Sequence, residues 1–227
     1  MSSDRDARVS AVAALAEPSR RRLYDHVARQ SVPVSRDEAA AAVGRPRATV
    51  AFHLDRLVAD GLLDVVFERR TGRTGPGAGR PSKLYRRADR SVEVSLPERS
   101  YDLAGDLLAA ALTEAEGSGE PPRPVLERRA HERGRELAAG LGPGGGRSAV
   151  LRVLEDNGFE PRLQDGGIVL ANCPFHVLAR RHTELVCGMN LRLIGGVLYG
   201  VGSAGLVARL LPTPGMCCVR LDEAPAS

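Results

Sequence analysis

"RPRATVAFHLDRLVADG", Arg45 to Gly61, decides the fold. Val50, Leu54, Leu57 and Val58 recur at spacings of three and four, so one face of a helix is apolar. Pro46 suits the first helical turn, because its missing N–H would have had no partner there. Arg45, Arg47, Thr49, Ala51 and His53 spread over the rest of the surface, and Gly61 ends the helix. Immediately upstream stands "SVPVSRDEAAAAVG", residues 31–44. Ser35 and Glu38 fit a capping box, in which the hydroxyl accepts from the backbone N–H three residues on and the carboxylate reaches back. A short helix therefore runs from Arg36 to Val43 and stops at Gly44. A short helix, a tight turn and a longer helix make a helix-turn-helix.

Further upstream, "RVSAVAALAEPSRRRLYDHVARQ" reads as two helices broken near Pro18, with Leu23 and Val27 giving the second an apolar stripe. Downstream of Gly61, "LLDVVFERR" is apolar and β-branched enough for a strand. "TGRTGPGAGRPS" reads as a flexible tip, and "KLYRR" returns as a second strand. The hairpin is a wing. From Arg69 to Arg87 it carries seven basic residues and no acidic one.

Charge is unevenly divided. Residues 1–90 hold 18 Arg and Lys against 11 Asp and Glu, whereas residues 91–227 hold 14 against 17. That asymmetry suggests a nucleic-acid module followed by something else. Lys83 is the only lysine, so arginine richness alone proves little. Aromatic residues make up 4% of the chain, which leaves Ala, Leu, Val and Gly to build the core. Asp4, Asp6 and Glu17 interrupt the first twenty residues, which argues against a secretory signal. No apolar run approaches the ~20 residues of a membrane span. The expectation is a cytoplasmic protein with reduced thiols and no membrane partner.

"PERSYDLAGDLLAAALTEAEG" reads as a helix over 98–116, with Tyr101, Ala104, Leu108 and Ala111 on one stripe that Leu103, Leu107 and Leu112 widen. It serves either as a dimer helix, since two-fold DNA sites need two-fold proteins, or as packing for its own chain; the dimer is the expectation. "VLERRAHERGRELAAGL" is a second, charged helix, and "GPGGG" a joint. The last eighty residues alternate differently. "SAVLRVLEDNGF" is an amphipathic helix, "EPRLQDGGIVLANC" a hairpin, "PFHVLARRH" a short helix with Pro174 in its first turn. "TELVCGMNLRLIGGVLYGVG" is a longer helix capped by Thr183, and "SAGLVARLLPTPGMCCVRL" gives two final strands.

Four cysteines lie in this last part: Cys173, Cys187, Cys217 and Cys218. Cys217 and Cys218 are expected on the terminal strand, where successive side chains point to opposite faces. One of the two at most then faces Cys173 and Cys187. A disulfide is disfavoured by a reducing compartment. Structural zinc usually takes a short C-x2–4-C knuckle, which is missing here. Plain core packing and an iron–sulfur cluster remain open.

"EPSRRRLYDHV", "RATVAFHLDRLVADGLL" and "GRPSKLYRR" together resemble the winged-helix domain of ArsR-type transcription regulators, over residues 8–88. The resemblance implies that the helix at 45–61 enters the major groove of double-stranded DNA and that the wing lies along the backbone. Arg45, Arg47, Thr49 and His53 are assigned to the groove, and Arg70, Arg73, Arg80 and Lys83 to the wing contacts. Arg can read guanine bidentately, and basic wing residues release counterions from phosphate.

"NCPFHVLARRHTELVCGMN" followed by a late "CC" is similar to the sensor domain of the Suf-operon repressors, ArsR-like proteins that bind an iron–sulfur cluster. That resemblance implies Cys173, Cys187 and Cys217 or Cys218 as ligands of a cluster, with a 4Fe-4S form one option. The first spacing is a residue longer than the commonest family form, and no cysteine stands between Cys187 and Cys217. His176 and His182 are near enough in sequence to be considered as a fourth ligand.

The fold class is thus α+β: a winged helix-turn-helix at 1–90, a helical dimerisation linker at 91–141 and an α+β sensor domain at 147–223. The expected function is a homodimeric DNA-binding regulator, a repressor on a palindromic operator, sensing a cluster or redox state. The alternative keeps the DNA half and has the second half bind a small apolar ligand at "LRLIGGVLYGVG", with structural cysteines and no metal. A third reading, an enzyme using Cys187 with His182 nearby, is not adopted: at a spacing of five on one helix the two do not share a face.

Overall fold

The computed structural model describes residues 2–69, 81–141, 145–164, 166–202 and 205–224. The chain divides into two units, Met1–Val94 and Ser95–Ser227.

The first unit holds α1 (Ser2–Ala14), α2 (Pro18–Ala28), β1 (Val34–Ser35), α3 (Arg36–Val43), α4 (Arg47–Ala59), β2 (Leu63–Glu68) and β3 (Ser82–Arg87). The capping box forms as read: Ser35 N–H donates to Glu38 Oε2 at 2.7 Å and Glu38 N–H to Ser35 Oγ at 3.2 Å. Gly44 closes α3 at φ 63°, a left-handed backbone that glycine adopts without a Cβ clash. Pro46 lies one residue outside α4, as its N-cap, rather than within the first turn. Val50, Leu54 and Leu57 are fully buried against α2 and α1 residues such as Leu23 and Ala11. Each such side chain contributes roughly 1.5–3 kcal/mol relative to exposure.

The wing strands pair antiparallel from Leu63↔Arg87 to Glu68↔Ser82. A further two-residue strand, β1, pairs with β3, giving the order β1-β3-β2. Two residues carry no periodicity, so β1 leaves no mark in the sequence. The expected flexible tip, and with it Arg70, Arg73 and Arg80, lies outside the described residues.

The second unit holds α5 (Tyr101–Ser118), α6 (Pro122–Ala138), α7 (Gly146–Asp156), β4 (Pro161–Gln164), β5 (Gly167–Leu170), α8 (His176–Arg181), α9 (Thr183–Val201), β6 (Leu206–Leu210) and β7 (Val219–Glu223). The strands form one antiparallel sheet in the order β4-β5-β7-β6. Helices α5 and α6, read from the sequence as a segment of their own, share one core with α7, α9 and the sheet. Ala104, Leu107, Ala111 and Ala115 of α5 are buried there, while Leu112 stands 52% exposed.

Helices α6 and α9 approach closely because glycines face each other. A Cβ on Gly134 would stand 1.9 Å from Leu193 O, and one on Gly196 2.0 Å from His131 O. By length and hydropathy α9 could cross a membrane, but over half of that stretch is buried inside the fold, as a core helix would be. Two local expectations about α9 change. Its first residue, Thr183, does not cap it: the hydroxyl donates back to Ala179 O at 2.8 Å. Pro174 precedes α8 by two residues instead of sitting in its first turn.

Candidate DNA interface and thiol centre

Helix α4 presents a buried face and an outward one. Arg45, just before it, and Thr49 are exposed, and Arg45 has no acidic partner among the described residues. Arg47 is also exposed, but its guanidinium is already gripped by Asp37, with Nε 2.6 Å from Oδ1 and Nη2 2.7 Å from Oδ2. His53 turns away from the outward face. Its side chain is 13% exposed, with Nε2 3.8 Å from Glu17 Oε2 and Nδ1 buried without a partner. Glu17 is itself the cap of α2, accepting from the N–H groups of Ser19 at 2.9 Å and Arg20 at 2.6 Å. Those backbone bonds hold its carboxyl down at about 2. Sequence reading missed this role, because Glu is an uncommon N-cap.

In the wing, Lys83 donates to Asp55 Oδ1 at 2.5 Å and lies over the Tyr85 ring at 5.2 Å. The same carboxylate accepts from Tyr85 Oη at 3.0 Å. Lys83 is pushed up and Asp55 down by their mutual bond. This triad ties β3 to α4 and so fixes the wing against the second helix of the motif. Of the assigned DNA contacts, Arg45, Arg47 and Thr49 therefore share the outward end of α4, and Lys83 stands near the tip end of the wing strands, opposite Phe67.

A comparison with known families bears on the first unit. Residues 15–66 match a family described as a helix-turn-helix domain. The match spans α2 to β2 and supports a DNA-binding transcription regulator of winged helix-turn-helix type. No curated protein and no solved structure is similar enough to the chain to match.

The second unit gathers the thiols. Cys173 follows β5, Cys187 lies on α9, and Cys217 and Cys218 precede β7. The two late cysteines are thus not in a strand, and pleating does not set them on opposite faces. Their segment is pinned where Cys217 N–H donates to Leu170 O at 2.8 Å and Leu211 N–H to Cys218 O at 2.7 Å. Both thiols are engaged. Cys187 Sγ donates to Cys218 Sγ at 2.9 Å, and Cys217 Sγ accepts from Asn190 Nδ2 at 3.2 Å. Strand alternation therefore does not govern the pair: Cys218 meets Cys187 of α9, while Cys217 lies beside Asn190 and near enough to Cys173 to influence it.

Surrounding groups divide these thiols sharply. The Cys217 bond, Phe175 N–H and the Arg99 guanidinium bring Cys173 down to about 7, against its burial. Burial, with Cys218 alongside, pushes Cys187 up to about 12. Cys217 is pushed up as the donor to Cys173, and by burial. Arg99 also donates to Cys173 O at 3.1 Å and to Asn172 Oδ1, fixing the loop. Asn190, 2% exposed and three residues beyond Cys187, donates from Nδ2 to Cys217 Sγ at 3.2 Å, while its Oδ1 is buried without a partner. His176 and His182 are exposed. Among the described residues, no three His, Cys, Asp or Glu side chains are arranged to hold one metal ion.

The stretch considered for an apolar ligand is mostly core: Leu193, Ile194, Val197 and Val201 are buried against α6 and neighbouring elements.

Proposed function

We propose that this chain is a homodimeric, ArsR-like winged-helix repressor whose second unit senses an iron–sulfur cluster through Cys173, Cys187, Cys217 and Cys218. The observation that carries the reading is the convergence of four thiols from three separate segments in a mostly buried place. Buried thiolates repel one another, and a bound cationic group removes that penalty. The donor set fits an iron–sulfur cluster, which takes Cys thiolates and spreads them over several irons, better than it fits a single ion. When bound, such a cluster would supply a redox-active, oxidant-labile group. The chain's own part is to present the sulfurs: Arg99 holds the Cys173 loop, and Asn190 directs an N–H at Cys217. Sensing then requires that the loaded and unloaded forms differ in DNA affinity. A dimer is supported by Val9 and Val12 of α1 and Leu112 of α5, apolar residues left exposed on the chain alone.

The test is anaerobic purification with visible absorbance, iron and acid-labile sulfide, repeated for Cys173→Ser and Cys187→Ser, with sedimentation for the dimer. Iron and colour lost in both variants, with altered operator affinity, is the expected result. Colourless, iron-free wild type under the same conditions would sink the cluster reading. A second reading, a dithiol switch, is favoured by the 2.9 Å contact between Cys187 and Cys218. A peroxide would oxidise one thiolate to a sulfenic acid with release of water, and the neighbouring thiol would displace a second water to close the disulfide. Peptide mapping of peroxide-treated, iron-free protein separates the two: a Cys187–Cys218 bridge that changes DNA affinity supports the switch.

A further inference from the structure

Of the large apolar side chains exposed in the first unit, among them Phe67 and Val32, one lies on the second helix of the helix-turn-helix. Phe52 is 67% exposed, on the helix-turn-helix element α4. Its neighbours one turn earlier, Ala48 and Thr49, are exposed too, and Arg45 continues the same line. The opposite face, Val50, Leu54 and Leu57, is fully buried. The exposed stripe thus runs Arg45, Ala48, Thr49, Phe52 at helical spacing: one cation, then an apolar strip. The ring is not loose. It meets His53 edge-on, centroids 5.5 Å apart, and His53 is lodged beside Glu17. The cation most often expected to read a base from such a helix, Arg47, is occupied by Asp37.

In the major groove only thymine offers an apolar group, its 5-methyl. An apolar strip entering that groove has one complementary base. We propose that Phe52, with Ala48 and the Thr49 methyl, reads thymine methyl groups, so that each operator half-site carries thymine opposite the centre of α4. This rests on the reading of the first unit as a DNA-binding head. Arg45, uncompensated among the described residues, anchors the same face on phosphate or guanine.

The experiment uses the full chain. A duplex site is first selected from a random pool, and its thymines are then replaced one at a time by deoxyuridine, which removes only the methyl. The expected result is an affinity loss of about fourfold at one or two positions per half-site, the value of burying one methyl-sized group. Phe52→Ala should lose the thymine-over-uracil preference at the most sensitive position while keeping the wild-type salt dependence, since no phosphate contact is removed. Being exposed, the substitution leaves the helix content unchanged by circular dichroism. A selected site indifferent to every uracil, or a Phe52→Ala protein whose preference is undiminished at every position, overturns the inference and leaves the DNA-binding reading standing. Failure of the wild type to enrich any sequence overturns both. A Phe52→Ala protein with unaltered DNA preference and a changed sedimentation coefficient places the ring against protein and overturns it as well.

Discussion

Adjacent glycines on α9 should respond to the same substitution with opposite sign. A methyl on Gly196 would sit 2.0 Å from His131 O and 3.0 Å from Gly134 Cα, both backbone atoms of α6. Carbon-to-oxygen contacts between packed helices settle at about 3.3 Å, so the helices would have to part by roughly 1.3 Å. No rotamer can relieve a clash with a main chain. Overpacking costs about 1–3 kcal/mol, and a rigid seam places it near 3. Alanine recovers about 1 kcal/mol of helix propensity, leaving a net loss of about 2 kcal/mol. At Gly195 the nearest atom is His131 Cδ2 at 3.9 Å, ordinary contact with a side chain. Gly195→Ala should therefore gain up to about 1 kcal/mol. The two variants should differ by about 3 kcal/mol, which for ordinary slopes separates their urea midpoints by about 1–3 M. Far-UV circular dichroism against urea reads this directly. Equal midpoints, or a Gly195→Ala protein less stable than Gly196→Ala, would refute the close approach of α6 and α9.

Other consequences are simpler to measure. The Glu17 carboxyl, lowered to about 2, stabilises the folded head fully above its ordinary value of 4.5 and loses that contribution as the pH falls toward 2. Glu17→Gln should remove this pH dependence, seen as a flatter acid-unfolding curve between those values. Asp37→Asn should release Arg47 and remove a negative charge beside it, strengthening DNA binding by about three- to tenfold at low salt. Weaker binding in a mobility-shift titration would show instead that the pair holds the reading face in place. In reduced, iron-free protein, Cys173 should alkylate first near pH 7, because it is the thiol lowered to about 7 and is less buried than Cys187 and Cys217. Arg99→Leu should slow that reaction severalfold by removing the nearby cation.

The head was legible because its signals are local. The Ser35–Glu38 box, Gly44 and the Val50–Leu54–Leu57 stripe each act within a few residues, and the chain folds as those residues ask. What could not be read depends on distant partners. Arg47 and His53 look alike in sequence as groove-facing polar residues, yet Asp37 captures one and Glu17 draws in the other. Phe52 went unnoticed because an apolar residue on a helix reads as core until its face is known. The thiols show the same limit. Alternation was the right rule for a strand, but β7 begins at Val219, two residues too late for it to govern Cys217 and Cys218.

That two-residue offset shapes how the thiol centre is built. Had both cysteines lain in β7, the sheet ladder would have fixed their directions, and only one could have turned inward. Ahead of the strand, the segment is held by two backbone bonds, to Leu170 at the end of β5 and from Leu211 just beyond β6. A further tie is made by sulfur, between Cys218 and Cys187 on α9, with Cys173 beside β5 close by. Asn190 adds a polar bond from the same helix, and the glycine seam at Gly196 and Gly200 presses that helix onto α6. Whatever pulls the sulfurs apart or binds them together therefore acts on the end of β5, the β6–β7 connection and α9 at once. A rigid helix carries any resulting shift along its whole length, because packed cores switch between arrangements and do not deform gradually. Loosening the seam with Gly196→Ala should accordingly blunt the response of the second unit to thiol chemistry even where all four cysteines are intact.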